Sequence, residues 1–111
     1  IIKMKNEILE IINLYFNAFI NKDLKVLDEI YSDSVELIDW TGQWYGKESV
    51  LTANEELFKI DYDLFVNETK VIENITYNSI TIRFDEGPID VMDVIYFDEN
   101  KKISKVRAFK G

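Results

Sequence analysis

Two aspartates interrupt rows of apolar residues where a strand should face the protein core. In "VELID", Asp39 continues the face set by two apolar residues, and in "PIDVMDVIYF", Asp93 lies between Val91 and Ile95 on one face. An unpaired buried carboxylate is costly, so each position needs a compensating reason. One reason is a strand-end or edge charge that discourages aggregation, and another is general acid–base chemistry.

The first helix carries a third polar group in an apolar setting. Tyr15 lies on its inward stripe, between Ile12 and Phe19. A core tyrosine with a hydrogen-bonded hydroxyl is the simple interpretation. The chain has no His and no Cys, so thiol nucleophiles, disulfides and Cys-based zinc sites are excluded. Proton transfer near neutral pH would therefore fall to carboxylates, tyrosines or lysines.

Composition limits the classes of protein to consider. With 111 residues, 47% of them hydrophobic and 31% charged, the sequence predicts one globular domain over residues 1–111. A net charge of -8 and a pI near 4.5 argue against nucleic acid and anionic membrane surfaces as partners. The start "IIKMKNEILEII" is unlike a signal peptide. Since cysteine is also absent, we expect a cytoplasmic protein.

The pattern of apolar residues changes from helical spacing to alternation along the chain. It predicts a helix over Lys3–Ile20, a short second helix capped by Asp23 and ending near Tyr31, and a third over Lys47–Lys59. From Asp63 onward, alternating β-branched and aromatic residues predict strands. Turn residues between the last three predict an antiparallel meander, so the fold class is α+β.

Several segments together resemble the nuclear transport factor two-like superfamily, with its SnoaL-like and ketosteroid isomerase branches nearest. They are "NKDLKVLDEIYSDSVELID", "YGKESV" and "DVIYFDENKKISKVRAF", in an order of helices that also matches. The resemblance implies a cone-shaped, cystatin-like roll. In that fold, three N-terminal helices pack in a strongly curved, mixed and mainly antiparallel sheet, which leaves a deep apolar pocket.

The same resemblance gives the three polar residues roles. The isomerases have a Tyr on the first helix, an Asp at the end of the first strand and an Asp on a late strand, matched here by Tyr15, Asp39 and Asp93. It implies that Asp39 is the base that moves a proton between two carbons of a β,γ-unsaturated ketone. Tyr15 and a protonated Asp93 would hydrogen-bond the dienolate oxygen, as in ketosteroid isomerases.

Other residues are expected to shape the ligand site. Asn54 occupies the place of a supporting Tyr in those isomerases, and Trp40 replaces a proline in front of a shorter loop. We expect ligand contacts from Trp40, Trp44, Tyr45, Asn54 and Phe58. The alternative for the aromatic residues is packing between helices and sheet, and Trp40 could serve an oligomer interface instead.

The reaction class stays open. A SnoaL-like polyketide cyclase would use the same late-strand Asp, while a scytalone-dehydratase-like mechanism needs the missing histidine. Arg83, Phe84 and Asp85 copy half of a limonene-epoxide-hydrolase motif, but Ala108 stands where its second Asp is expected. A non-catalytic ligand-binding or dimerisation module is the further alternative. The sequence indicates a small apolar ligand, no cofactor and no metal, and a homodimer under either interpretation.

Overall fold

Three helices form the part of the fold that faces the sheet. The structure, a computed structural model, describes residues 2–111 and the side chains of residues 3–111. Its helices are α1 (Ile2–Asn21), α2 (Leu24–Ile30) and α3 (Lys47–Phe58). The predicted ends of α1 and α3 are therefore right to within one residue. The predicted cap of α2 is confirmed, because the Asp23 side chain accepts a hydrogen bond from the Val26 amide at 3.2 Å.

Six strands form one mixed sheet, in the order β2-β1-β6-β5-β4-β3. Every neighbouring pair is antiparallel except β1 and β6, which are parallel. The predicted antiparallel meander is confirmed for β4, β5 and β6. The strands are β1 (Tyr31–Asp39), β2 (Gly42–Tyr45), β3 (Asp63–Ile72), β4 (Ile75–Phe84), β5 (Gly87–Phe97) and β6 (Ile103–Lys110).

The first strand starts earlier than the sequence indicates. The second helix ends at Ile30, and Tyr31 is already extended, with φ -80° and ψ 142°. The Tyr31 amide donates back to the Leu27 carbonyl, which closes the helix. Tyr31 also pairs with Ile103 of β6. A partner 72 residues away thus converts a predicted helix end into a strand start, because tertiary pairing outweighs local propensity.

The core lies between the helices and one face of the sheet, called the inner face here. Register shifts in β1, β3 and at the end of β5 bend the sheet. Apolar residues of α1 and of the inner face fill the base of the fold: Ile8, Ile12, Phe16, Val35, Ile95, Phe97, Ile103 and Val106. Helices and bent sheet together make the predicted α+β cone. No helix in residues 2–111 is both long and apolar enough to cross a membrane.

A glycine sets the direction in which α3 leaves the sheet. Gly46 has φ 89°, a conformation that other residues adopt only with strain. Its amide donates to the Val35 carbonyl at 2.8 Å, and its carbonyl accepts from the Val50 amide at 3.0 Å. This turn directs α3 back across the open end of the sheet. The wall of the candidate site depends on that placement.

Candidate active site

A cavity of about 500 Å³ opens between the helices and the inner face of the sheet. Most of its wall is apolar. Tyr15, Asp39 and Asp93 all line it, so the structure brings the three chemistry-bearing residues together. The apolar wall includes Phe16, Phe19, Leu37, Trp44, Leu57, Leu64, Ile80, Ile82, Phe84, Ile89, Val91, Val106 and Ala108.

Asp93 is the most deeply placed acid in this cavity. It is 7% exposed and lies on β5 between Val91 and Ile95. Its cross-strand neighbour Asn78 donates to the Asp93 backbone carbonyl and to Thr76 Oγ1, both at 3.0 Å. Neither bond reaches the Asp93 carboxyl group. Burial, with a further contribution from the negative charge of Asp39, raises the pKa of Asp93 to about 7.

Asp39 closes the turn that joins β1 to β2. Its Oδ1 accepts from the Thr41 amide at 2.6 Å, the Thr41 hydroxyl at 2.7 Å and the Gly42 amide at 3.1 Å. Three donors on one oxygen fix the carboxylate group and leave Oδ2 as the oxygen for a ligand. Asp39 therefore differs from Asp93, because it is half-buried and well hydrogen-bonded.

Tyr15 projects from α1 into a cluster of aromatic rings. Its ring centroid lies 5.1 Å from that of Phe16, 4.8 Å from that of Phe19 and 6.4 Å from that of Tyr31. Desolvation, followed by the nearby Tyr31 and Asp93, raises the pKa of Tyr15 well above its ordinary value. The Tyr15 hydroxyl is therefore protonated throughout the physiological pH range and is a hydrogen-bond donor.

Strand register places the two acids on either side of one small residue. Asp93 pairs with Ala108 across β5 and β6. Ile38 pairs with Arg107 across β1 and β6, so Asp39 comes beside Ala108 from the other side. Two strand spacings separate the backbones of the acids, which is roughly 10 Å. A ligand atom above Ala108 would thus lie between the two carboxyl groups.

The residues expected to contact the ligand divide into two groups. Trp40, Trp44 and Asn54 line the cavity. Trp40 does so because β1 ends at Asp39, so Trp40 belongs to the turn and no longer follows the strand alternation. It keeps 47% of its surface exposed, at the edge of the cavity.

Tyr45 and Phe58 lie outside the cavity wall. Tyr45 pairs with Glu36 on the outer face of the sheet, is 62% exposed, and donates its hydroxyl to Gln43 Oε1. Phe58 stands behind the wall and packs against Phe19 at a centroid distance of 5.4 Å. Both placements differ from the expected ligand contacts. Alternation along β2 places Trp44 on the inner face of the sheet and its neighbour Tyr45 on the outer face.

A buried tyrosine and a half-buried one near the site have no counterpart in the sequence-based prediction. Tyr31 is 2% exposed and donates its hydroxyl to Asn54 Oδ1 at 2.7 Å. Tyr62 lines the cavity and donates to the Phe19 carbonyl, and burial raises its pKa to about 12. Both hydrogen bonds join residues far apart in sequence. Polar residues such as Glu29, Ser32 and Asp33 surround Tyr31 in the sequence, so no local pattern predicts its burial.

The cavity wall has a negative electrostatic character. Asp39, Asp93 and Glu56 line it, while no Lys or Arg among the described residues does. Within residues 2–111, no group of three acidic side chains could hold a metal ion. The polar side chains of the wall carry carboxyl, phenol, hydroxyl, indole and amide groups.

Comparisons with known proteins give matches in structure only. No protein-family model and no curated protein matches this sequence. A solved structure from Kribbella flavida, described as a candidate ketosteroid isomerase, has a TM-score of 0.87 and 13% identity over 96% of this chain and 78% of its own. A candidate isomerase of the SnoaL-like family from Agrobacterium tumefaciens has a TM-score of 0.80 and 16% identity over 96% and 98% of the two chains.

A third similar structure is described as a different kind of enzyme. It is a candidate polyketide cyclase from Sinorhizobium meliloti, with a TM-score of 0.82 and 18% identity over 89% of this chain and 93% of its own. Further similar structures are described as NTF2-like or as having a cystatin-like fold. At these identities, the similarity concerns the fold and not the activity. The chain thus has the cystatin-like α+β fold of the NTF2-like proteins, which include SnoaL-like and ketosteroid isomerase-like structures.

Proposed function

We propose that this protein binds a small neutral ketone in its cavity and moves a proton at the carbon next to the carbonyl group. The observation that carries the proposal is one apolar cavity holding two acids in different environments. Asp93 is buried, with its pKa raised to about 7, while Asp39 is half-buried and held by three hydrogen bonds. Acids in such different surroundings are suited to opposite roles in proton transfer.

In the proposed reaction, Asp39 moves the proton while Tyr15 and Asp93 stabilise the charge on the oxygen. Asp39 Oδ2 removes a proton from the carbon between the carbonyl group and the double bond of a β,γ-unsaturated ketone. The electron pair of that C–H bond forms a dienolate, whose oxygen accepts hydrogen bonds from Tyr15 and protonated Asp93. Asp39 then donates a proton to the γ carbon, which gives the conjugated ketone and restores the carboxylate. No other reactant is consumed.

The wall of the cavity supports a neutral, mainly apolar substrate. Its lining includes three acidic residues and no basic one among the described residues, so an anionic group would meet repulsion without a partner. A volume of about 500 Å³ accommodates a molecule of two to four fused rings. Low local polarity also strengthens both hydrogen bonds to the developing oxyanion.

The test is the formation of a conjugated enone from a β,γ-unsaturated ketosteroid, followed by ultraviolet absorbance. Wild type should form the enone, and Asp39→Asn should lose roughly 100-fold or more of the rate. Asn keeps an oxygen for the bonds from Thr41 and Gly42, so the variant removes the base without removing the turn. Asp33→Asn, at a fully exposed acid of the same strand, is the matched control.

Each other outcome favours a named alternative. Binding of the ketosteroid without enone formation would favour a non-catalytic ligand-binding module. Inactivity toward the ketosteroid, combined with ring closure of a linear polyketide ester, would favour a SnoaL-like cyclase. In that reaction Asp93 would be the acid or base of an aldol closure, and the solved candidate cyclase with this fold is the observation behind this alternative.

A further inference from the structure

Asn54 brings an amide group into the wall of a mainly apolar cavity. It lies on α3 and is 5% exposed. Its Oδ1 accepts the hydrogen bond from the Tyr31 hydroxyl at 2.7 Å. Its Nδ2 carries two further protons and makes no hydrogen bond to the described residues. Among residues 3–111, Ser32 Oγ is the one fully buried side-chain nitrogen or oxygen atom without a hydrogen-bond partner, so Asn54 Nδ2 is not fully buried. The Asn54 Nδ2 group therefore faces the cavity.

Tyr31 determines which end of the amide faces the ligand. It is 2% exposed, and its backbone pairs with Ile103, so its hydroxyl has little freedom. Because that hydroxyl donates to Oδ1, the NH₂ group is the end left for the cavity. The donor is thus oriented before any ligand arrives, which lowers the entropic cost of using it in binding.

The carbonyl oxygen of the proposed substrate cannot use a third strong donor. A carbonyl oxygen has two lone pairs, and Tyr15 and Asp93 occupy both in the proposed reaction. An amide donor that stays unpaired in an apolar wall is unfavourable. The Asn54 donor is therefore suited to an acceptor elsewhere on the ligand.

We propose that Asn54 Nδ2 hydrogen-bonds a second acceptor atom of the ligand, a second ketone or ether oxygen, and so selects neutral ligands with two acceptors. This inference rests on the proposed function, because it assigns the first carbonyl group to Tyr15 and Asp93. It makes Asn54 a residue that determines ligand specificity. Asn54 and Tyr31 act as one unit. Asn54 supplies the donor, and Tyr31 holds its amide group in place.

The test compares the binding of ring ketones with one and with two oxygens. Trp40 and Trp44 are the two tryptophans of the chain and both line the cavity, so their fluorescence reports binding directly. The probes are 2-decalone and the isomers of decalindione. Wild type should bind at least one dione isomer roughly 2- to 10-fold tighter than the monoketone, the size of one neutral hydrogen bond.

The double variant Tyr31→Phe/Asn54→Leu removes both hydrogen-bonding partners together, which limits damage to the core. The preference of this double variant for the dione over 2-decalone should disappear. Tyr31→Phe alone keeps Nδ2 but frees the amide, so it should retain part of the preference. An unchanged preference in the double variant would overturn the inference.

A measurement on the wild-type protein covers the case in which the double variant does not fold. The side-chain amide protons of Asn54 should shift in NMR spectra on binding the preferred dione and stay in place with 2-decalone. Equal shifts with both probes would overturn the inference. Failure of the proposed function would have a different result. In that case, Tyr15→Phe and Asp93→Leu would leave the affinity for 2-decalone unchanged.

Discussion

Asp39 and Asp93 lie on opposite sides of Ala108, each one strand away from it, on the inner face of the sheet. A large side chain at the middle position would fill the space between the two acids. Alanine leaves that space free for a ligand. The distance between the acids, roughly 10 Å at the backbone, also lets one act on carbon while the other reaches the carbonyl oxygen.

Filling this space should prevent binding without unfolding the protein. In Ala108→Leu the added carbon atoms enter the cavity, so overpacking should cost stability at most about 1–3 kcal/mol. We expect affinity for 2-decalone, followed by tryptophan fluorescence, to fall by at least 10-fold (about 1.4 kcal/mol). Phe109→Leu, next in sequence but on the outer face and 47% exposed, should bind like wild type. Normal binding by Ala108→Leu would show that the ligand lies elsewhere.

The buried acid should make the folded protein less stable as pH rises. The pKa of Asp93 is about 7 in the folded chain against 3.8 for an unperturbed Asp. The folded state therefore binds more protons than the unfolded state between these values. The contribution of Asp93 to stability is greatest below about pH 4, falls as pH rises to about 7, and then levels off, with a total loss of roughly 4 kcal/mol from this group.

Asp93→Asn should remove this dependence. The amide stays neutral, so the variant should have a higher melting temperature than wild type at pH 8 and lose that advantage near pH 4. Thermal unfolding by circular dichroism at both pH values measures the difference. Asp90→Asn, on the exposed side of the same strand, keeps an oxygen for the Thr81 hydroxyl and should behave like wild type. Equal melting temperatures of Asp93→Asn and wild type at pH 8 would contradict the raised pKa of Asp93.

The same proton should control activity. Protonated Asp93 is the hydrogen-bond donor in the proposed reaction, so kcat/KM should fall about 10-fold per pH unit above about pH 7. Asp93→Asn keeps a donor that does not titrate, so its kcat/KM should be lower but independent of pH in that range. A wild-type rate that stays constant from pH 6 to pH 9 would remove Asp93 from the reaction.

Much of the fold follows from local patterns in the sequence. Helical spacing locates α1 and α3 to within one residue, and the Asp23 cap marks the start of α2. Alternation places Asp39 and Asp93 among inward-facing residues, and the cavity does contain them. These features depend on neighbours within one helix or strand, which a sequence shows directly.

Other features depend on residues that meet only after folding. Tyr31 starts a strand and supports Asn54 because β6 and α3 lie beside it, at separations of 72 and 23 residues. Trp40 lines the cavity because β1 ends at Asp39, one residue before it. Tyr45 is on the outer face because of its pairing with Glu36. Local propensity does not indicate such contacts. The individual residues of the cavity wall therefore could not all be predicted from the sequence.

The most direct test of the central claim is proton exchange at the carbon next to a bound carbonyl group. 2-Decalone is placed in D₂O with wild-type protein or with Asp39→Asn, and loss of its α-proton signals is followed by NMR. We predict exchange well above the buffer rate with wild type and a reduction of roughly 100-fold or more with Asp39→Asn. Binding of 2-decalone by wild type with exchange at the buffer rate, or equal exchange by both proteins, would contradict the claim that Asp39 is a base in this cavity.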